Sequence, residues 1–231
     1  MEPYVSILGD SISSFFLTIP LKNKPYYPRI KSRILFPSQM WWAIMIKLLH
    51  WKLLVNESIS GSCVAEGYRE LLCASSPKRC LKLHRNKKKP DVIIIAMGVN
   101  DYTYNVPLEI FRMAYMNMLV NIKNFYKESK IICVSPWFTQ RGKMRESLNG
   151  ERLNNLGCSC SQYSSIIEEL TQQFNLIYYD AELIGFSEYN YYPTYCCDNK
   201  INPTHPNRMG HMIMGEKLAQ FINDLMIQGK L

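Results

Sequence analysis

The sequence predicts an α/β protein with a central, mainly parallel sheet of five strands and helices on both faces. Five short apolar runs, each four to eight residues long, alternate with longer segments of helical periodicity. The runs are apolar through their middle, which is typical of strands buried on both faces. Proline precedes three of the four helical segments, where first helical turns accept it. This alternation favours parallel strands joined by right-handed crossovers.

The predicted elements follow in a regular order. The strands are Tyr4–Leu8, Leu53–Ser58, Asp91–Met97, Lys130–Ser135 and Leu176–Asp180. The helices are Ser38–Lys52 after Pro37, Leu108–Glu128 after Pro107, Ser161–Phe174, and Asn207–Ile227 after Pro206. Tryptophans mixed with aliphatic residues give the first helix a sheet-covering face, and the spacing of methionine, leucine and isoleucine makes the last helix amphipathic. Each helix is therefore expected to pack on the sheet.

Composition limits the class of protein. With 231 residues, 47% hydrophobic and 20% charged, the chain can bury a core, and we expect one domain over residues 1–231. No apolar run approaches the roughly 18 residues that a membrane span requires. A signal peptide has a positively charged start and an apolar middle, whereas this chain has Glu2 at its start and Asp10 in the apolar stretch. We therefore expect a cytoplasmic protein. The eight cysteines are expected to be reduced thiols, and their spacing does not match a structural zinc site.

The net charge of +8 is concentrated in one segment. Residues 77–89 carry seven lysines and arginines and no acid, including Lys78, Arg79 and Lys89, so the rest of the chain is close to neutral. A solvated peripheral segment is the simplest interpretation, and an anionic surface or partner is the alternative. No nucleic-acid recognition module is present, so no nucleic-acid partner is expected.

Polar residues and glycines follow the predicted strands. They are Gly9-Asp10-Ser11 after the first strand, Ser60-Gly61-Ser62 after the second, Gly98-Val99-Asn100-Asp101 after the third, and Asn202-Pro203-Thr204-His205 before the last helix. In open α/β sheets, ligands bind beyond the carboxyl ends of the strands. These loops are therefore expected to converge on one site.

The residues in these loops are suited to acyl transfer. A serine hydroxyl needs a neighbouring base to become a nucleophile, and Ser11 with His205 supplies that pair. The tetrahedral intermediate needs hydrogen-bond donors for its oxyanion, and the candidates are the Ser11 and Gly61 backbone N–H groups and the Asn100 side chain. Each motif alone is weak evidence for catalysis. Their order along the chain, with one motif in each of four successive loops at the strand and helix ends, indicates a serine hydrolase.

The chain resembles SGNH hydrolases of the GDSL lipase/acylhydrolase type. YVSILGDSIS resembles the nucleophile block, SISGS the glycine block, IIAMGVND the asparagine block and HPNRMGH the histidine block, spanning residues 4 to 211. The resemblance implies a flavodoxin-like α/β/α sandwich, no cofactor, and a small-molecule acyl ester as substrate. It also implies Ser11 as nucleophile, His205 as base, and Ser11, Gly61 and Asn100 as the oxyanion hole.

One position departs from that family pattern. Asn202 stands three residues before His205, where the family places an aspartate that orients the imidazole. Three alternatives stay open: Asn202 or a backbone carbonyl orients His205, or Asp198 swings in from upstream, or the site is impaired and retained for binding acylated sugar or lipid. In a serine protease, replacing the aspartate that orients the catalytic histidine with asparagine lowers kcat about 10⁴-fold.

Tyrosines are frequent in the site loops. Tyr26 and Tyr27 follow the first block, Tyr102 and Tyr104 follow Asn100, and four more precede His205. Tyrosine combines a flat apolar face with a hydroxyl, so Tyr102 and Tyr104 are candidate substrate-lining residues. We expect a short-chain ester, such as an acetyl ester, on a carbohydrate. The sequence leaves the oligomeric state and the choice between hydrolase and acyltransferase open.

Overall fold

A single parallel sheet organises the described part of the chain. The computed structural model describes residues 2–139, 141, 152–199 and 203–231. Its strands are β1 (Tyr4–Gly9), β2 (Lys52–Ser58), β3 (Val92–Ala96), β4 (Lys130–Val134) and β5 (Ile177–Tyr179). They lie in the order β2-β1-β3-β4-β5, and every neighbouring pair is parallel. The predicted fold class is confirmed.

Strand β3 shows why these strands have no polar face. Val92, Ile94 and Ala96 belong to the hydrophobic core on one side of the sheet, and Ile93 and Ile95 to the core on the other side. Successive side chains of a strand point to opposite faces, so a strand covered on both sides must be apolar at every position.

Helices cover both faces of the sheet. They are α1 (Trp41–Leu49), α2 (Pro77–Cys80), α3 (Val99–Thr103), α4 (Leu108–Phe125), α5 (Cys160–Gln173) and α6 (Arg208–Ile227). Helices α1 and α6 pack together on one face, and α4 and α5 contribute to the core of the other. This arrangement is a three-layer α/β/α sandwich.

The first helix is shorter than predicted. A separate 3₁₀ turn occupies Pro37–Gln39, and α1 ends at Leu49 because His50 adopts a left-handed conformation with φ of 55°. The backbone N–H of His50 donates to the carbonyl oxygens of Ile46 and Lys47, which closes the helix. Lys52, predicted as the end of the helix, therefore begins β2 instead.

The strand order places a crevice above β1 and β3. From β1 the chain crosses over to β2 at one edge of the sheet and then returns to β3 on the other side of β1. A ligand crevice forms at such a switch point, outside the carboxyl ends of the strands. Ser11, which follows β1 directly, lies at this crevice.

The basic segment is peripheral only in part. Lys88 lies over the ring of Tyr4 at the start of β1, and the Lys89 ammonium donates to the carbonyl oxygen of Phe125. These residues lie at the amino ends of the strands, as expected. Arg79 is different: it is completely buried and reaches the carboxyl ends. The interpretation of the whole segment as solvated is wrong for Arg79.

Candidate active site

The nucleophile candidate lies in a tight turn after β1. Ser11 begins a 3₁₀ turn, and the Asp10 carboxylate accepts a hydrogen bond from the Ile12 backbone N–H at 2.9 Å. Gly9 allows this turn because a Cβ at its position would lie 2.6 Å from Cβ of Ser13 and 2.7 Å from Oγ of Ser58. Only glycine fits there, so the GDS sequence has a direct steric cause.

The loop before α6 brings His205 to Ser11. Nε2 of His205 lies 2.9 Å from Oγ of Ser11, although the two residues are 194 positions apart in the sequence. Hydrogen bonds hold the loop in place: the Tyr27 hydroxyl donates to the carbonyl oxygen of Pro206, and the Tyr191 hydroxyl donates to that of Thr204. The predicted serine–histidine pair is therefore within hydrogen-bonding distance.

Asp198 is the acid that contacts the imidazole. Its Oδ2 lies 2.8 Å from Nδ1 of His205 and also accepts from the backbone N–H groups of His205 at 2.8 Å and Thr204 at 3.0 Å. This arrangement corresponds to the second of the three sequence alternatives. Asn202, the first choice from the sequence, lies outside the described residues. Among the described residues, Asp198 therefore makes the contact that was first considered for Asn202.

The protonation states suit a general base. Burial lowers the pKa of His205 below its usual value, and the Asp198 carboxylate opposes this only in part. Burial would raise the pKa of Asp198, but the hydrogen bond and charge of His205 outweigh it, and that pKa lies well below the usual range. At neutral pH the imidazole is thus uncharged beside a carboxylate. In this tautomer Nδ1–H donates to Asp198, and Nε2 accepts from Ser11.

Tyr26 contacts both His205 and Asp198. Its ring stacks on the His205 imidazole with centroids 3.6 Å apart and planes 10° apart, and its hydroxyl donates to Oδ1 of Asp198 at 2.8 Å. The Tyr26 backbone N–H donates to Oγ of Ser14 at 2.8 Å, and that hydroxyl donates to the carbonyl oxygen of Ser11 at 3.1 Å. The sequence marked Tyr26 only as one of several loop tyrosines.

The two other oxyanion candidates follow β2 and β3. Gly61 follows β2 with a left-handed φ of 80°, a conformation that favours glycine. The Asn100 amide nitrogen donates to the carbonyl oxygen of Ser62 at 3.0 Å and has a longer contact of 3.4 Å with Oδ2 of Asp10. Asn100 therefore links the loops after β1, β2 and β3.

Arg79 anchors the loop that contains Gly61. Its Nη2 donates to the carbonyl oxygens of Gly9 at 2.5 Å and Glu57 at 3.1 Å, at the ends of β1 and β2. Its Nη1 donates to Oγ of Ser62 at 2.9 Å and to the carbonyl oxygen of Leu72 at 3.1 Å. Sequence reasoning missed this role because it counted Arg79 with the surface lysines; the apolar neighbour Cys80 on the same short helix was the available signal.

The two candidate lining tyrosines occupy different environments. Tyr102 is 1% exposed, and its hydroxyl lies within hydrogen-bonding distance of the carbonyl oxygens of Arg141 and Arg152, at 2.6 and 2.9 Å. Its side chain is buried in this structure. Tyr104 is half-buried, and the Arg69 guanidinium lies 4.5 Å from its ring centroid.

Two further observations concern metals and membranes. Within residues 2–139, 141, 152–199 and 203–231, no three histidine, cysteine or acidic side chains are grouped so that they could hold a metal ion. In the same residues, no helix is both long enough and apolar enough to cross a bilayer.

Similarity to known proteins agrees with the geometry. A family model described as GDSL-like lipase/acylhydrolase matches residues 3–164, which include Ser11, Gly61 and Asn100. Among curated proteins, no sequence match was found. His205 and Asp198 lie beyond the matched region. Their position beside Ser11 is therefore seen in the structure and not in the family match.

Solved structures show the same fold at low sequence identity. A protein from Bacteroides ovatus described as a GDSL-like lipase has 20% identity and a TM-score of 0.70, with 97% of this chain and 99% of that chain covered. Est24, a carbohydrate acetylesterase from Sinorhizobium meliloti, has 17% identity and a TM-score of 0.64, with coverage of 97% and 100%. The aryl esterase of M. smegmatis has 17% identity and a TM-score of 0.63, with coverage of 96% and 99%.

Because the family model spans well over half of the sequence, this chain belongs to the GDSL-like lipase/acylhydrolase family of ester hydrolases.

Proposed function

We propose that this protein is a serine esterase that hydrolyses short-chain acyl esters through an acyl-enzyme on Ser11. The observation that carries the proposal is the line of contacts from Ser11 Oγ to His205 Nε2 at 2.9 Å and from His205 Nδ1 to Asp198 Oδ2 at 2.8 Å. A nucleophile, a base and a group that orients the base are the three parts that serine acyl transfer requires.

In the first half-reaction, Oγ of Ser11 attacks the ester carbonyl carbon and its proton moves to Nε2 of His205. The Asp198 carboxylate stabilises the resulting imidazolium through Nδ1. When the tetrahedral intermediate collapses, the bond between the carbonyl carbon and the alcohol oxygen breaks. Nε2 returns the proton to that oxygen, the alcohol leaves, and the acyl group remains on Ser11.

In the second half-reaction, His205 removes a proton from water, and the hydroxyl oxygen attacks the acyl carbon. The bond to Oγ then breaks, Ser11 recovers its proton from Nε2, and the carboxylic acid leaves. Asp198 keeps the same hydrogen bond throughout, so the base returns to its starting state.

The oxyanion of each tetrahedral intermediate is assigned to the Ser11 and Gly61 backbone N–H groups and the Asn100 amide. Asn100 Nδ2 already has two acceptors, and the 3.4 Å contact with Asp10 is the weaker one. The developing oxyanion would replace Asp10 as the partner of that hydrogen. Loss of one such donor typically costs a hundredfold or more in rate.

A short acyl chain on a carbohydrate-like alcohol is our specific proposal for the substrate. Tyr104 is half-buried beside Arg69, whose guanidinium lies near Gly61, so it offers an aromatic and hydroxyl surface close to the site. A protein of similar fold is a carbohydrate acetylesterase. Hydrolysis of octanoyl nitrophenyl esters far above that of acetyl esters would contradict this substrate.

Alanine variants of Ser11, Asp198 and Asn202 test the machinery on p-nitrophenyl acetate. We expect Ser11→Ala to abolish hydrolysis and labelling by a fluorophosphonate probe. We expect Asp198→Ala to lower kcat about 10³- to 10⁴-fold, in line with loss of the acid in a serine protease. Asn202→Ala is the matched control and should retain most activity. Inactivity of Asn202→Ala beside an active Asp198→Ala would return the orienting role to Asn202.

A protein that binds acylated ligands without turning them over is the competing function. It would bind esters but would neither label rapidly with the fluorophosphonate nor release nitrophenol above the rate of Ser11→Ala. Rapid labelling of the wild type excludes it, because only an activated serine reacts quickly.

A further inference from the structure

Three arginines surround the candidate active site, and they have no acidic partner among the described residues. The ion pairs of those residues join Lys52 to Glu2, Arg112 to Glu169, Arg152 to Glu188 and His205 to Asp198. Arg29, Arg69 and Arg141 take part in none of them. Of the two aspartates in the site, Asp198 is engaged by His205 and Tyr26, and Asp10 is buried and accepts from the Ile12 backbone N–H.

Arg29 lies on the His205 side of the site. Its guanidinium carbon is 3.9 Å from the ring centroid of Tyr26, and the other face of that ring stacks on His205. Its Nε donates to the carbonyl oxygen of Tyr26, while the rest of the side chain is exposed. The outer nitrogens of the guanidinium therefore remain available to an incoming anion.

Arg141 lies on the same side. Its backbone N–H donates to Oγ1 of Thr139 at 3.2 Å, and Thr139 shares a hydrogen bond of 3.0 Å with Oγ1 of Thr204, the residue before His205. The side-chain Nε of Arg141 is buried without a hydrogen-bond partner among the described residues. The positive charges of Arg141 and Arg29 both act to lower the pKa of His205, as expected for nearby cations.

Arg69 lies on the opposite, oxyanion side. One of its terminal nitrogens would be 3.5 Å from a Cβ on Gly61, and its guanidinium packs on Tyr104. Glu66 and Glu70 flank it in the sequence, but neither forms an ion pair with it. Arg69 thus adds positive charge to the other wall of the crevice.

The chemistry of the reaction tells which half of the ester faces Arg29 and Arg141. Nε2 of His205 must reach the oxygen of the leaving alcohol in order to protonate it, so the alcohol lies on the His205 side. An unpaired guanidinium at the edge of a low-dielectric site binds carboxylate or phosphate oxygens well and gains little from a neutral hydroxyl.

We propose that the substrate is a short-chain ester whose alcohol half carries a carboxylate or phosphate, and that Arg29 and Arg141 bind that anion. This inference rests on the proposed esterase function and extends it to a substrate class. An acylated acidic sugar satisfies both the carbohydrate proposal and this one. The arginines determine specificity, while Ser11, His205 and Asp198 carry out the chemistry.

A matched pair of substrates tests the proposal: 4-acetoxybenzoate, with an anionic alcohol half, and its neutral methyl ester. The ratio of their kcat/KM values is divided by the ratio for alkaline hydrolysis, because the two substituents activate the phenol differently. We expect the wild type to favour the anionic ester. Arg141→Gln and Arg29→Gln should each lower that preference about twofold to fivefold, as for a partly exposed charge pair, with little change for the neutral ester.

Two control variants separate local binding from long-range attraction. Arg85→Gln removes the same charge from the exposed segment near the amino ends of the strands and should leave the preference unchanged. Arg69→Gln should change it less than Arg141→Gln does. The assignment of anion binding to Arg29 and Arg141 would be overturned if only Arg69→Gln lowered the preference for the anionic ester. It would also be overturned if Arg85→Gln lowered that preference as much as Arg141→Gln does.

The neutral ester distinguishes the two levels of failure. If the wild type does not hydrolyse it above the rate of Ser11→Ala, the proposed function fails. If it hydrolyses the neutral ester but shows no preference for the anionic one, or if the arginine variants slow both esters equally, only the anion proposal fails.

Discussion

At the scale of single residues, the contacts of Tyr26 distinguish this site from a plain serine–histidine–aspartate arrangement. The hydroxyl holds the oxygen of Asp198 that does not face the imidazole, and the ring covers one face of His205. A hydrogen bond to a charged group is worth about 1.5–3 kcal/mol. Tyr26 is therefore a positioning residue that acts through Asp198 and His205.

Substitution of Tyr26 should change the pH profile as well as the rate. Because burial lowers the pKa of His205, kcat/KM of the wild type should fall only below about pH 6.5, the usual histidine value. Tyr26→Phe removes a donor from Asp198, which then attracts the imidazolium proton more strongly and raises the pKa of His205. The acidic limb should move to higher pH, and kcat should fall about threefold to thirtyfold.

Tyr26→Leu should shift the acidic limb further, since the imidazole then also loses its stacked ring and gains contact with water. Tyr189→Phe is the matched control, because Tyr189 is 93% exposed. Both Tyr26 variants losing rate with an unmoved acidic limb would indicate a structural role only.

From the sequence, Ser11 and His205 were expected to meet, and Asp198 was only the second of three alternatives for the residue that orients His205. Ser11 and His205 were recoverable because each lies in a short motif beside an element boundary. The sequence could not rank Asp198 first, because it is seven residues before His205 and reaches it only through the path of an irregular loop. The spacing of a motif identifies the acid only if the loop has the family's usual shape. In this loop the Asp198 carboxylate accepts hydrogen bonds from three donors of Thr204 and His205 and from the Tyr26 hydroxyl, which hold it beside the imidazole.

At the scale of elements, the strands were predictable and their order was not. Five strands were expected within one or two residues of their bounds, since continuous apolar runs of this length have few other uses. The order β2-β1-β3-β4-β5 depends on long-range packing that no local pattern contains. The short helices α2 and α3 were missed because four or five residues give no periodicity.

Arg79 of helix α2 joins the carboxyl ends of β1 and β2. Its guanidinium is buried, and burial lowers its pKa to about 10, so it remains charged at neutral pH. Arg79→Met would leave the carbonyl oxygens at the ends of β1 and β2 without their donor. We expect a loss of about 3–5 kcal/mol in the free energy of unfolding, measured by urea denaturation.

Two comparisons control the Arg79 experiment. Arg79→Lys keeps the charge but loses the planar fork, so it should fall between Arg79→Met and the wild type. Arg85→Gln, at an exposed position, should change stability by less than about 0.5 kcal/mol. A free energy of unfolding for Arg79→Met equal to that of Arg85→Gln would refute the anchoring role.

At the scale of the whole molecule, two buried carboxyl groups make stability depend on pH. Burial raises the pKa of both Asp10 and Asp101 to about 7, although Asp101 accepts hydrogen bonds from the backbone N–H groups of Val64 and Ala65. The folded state then binds protons more tightly than the unfolded state does. Its free energy of unfolding should decrease as pH rises from about 4 to about 7.

Asp198 acts in the opposite sense, because its lowered pKa adds stability that is lost only as pH falls below its ordinary value near 4. His205 and His211 also act in this opposite sense, because burial lowers the pKa of both, that of His211 to about 3, so their stability is lost as pH falls below about 6.5. The effect of the two aspartates should therefore be clearest as a lower free energy of unfolding at about pH 8 than at about pH 6.5. Urea unfolding across this range measures the slope.

Asp101→Asn should flatten that slope between pH 5 and 7, whereas Asp224→Asn, on an exposed face of α6, should leave it as it is. An unchanged slope in Asp101→Asn would show that this carboxyl group does not cause the dependence.

The hydrogen bonds around Ser11 form a closed circuit. From its hydroxyl the contacts run through His205, Asp198, Tyr26 and Ser14, and they end at the carbonyl oxygen of Ser11 itself. Two segments far apart in the chain are thereby tied to one residue at two points. A graft of the Asp198–His205 loop onto a related enzyme would transfer the contacts of His205 and Asp198 but not those of Tyr26 and Ser14. We therefore expect an active graft to need Tyr26 and Ser14 as well.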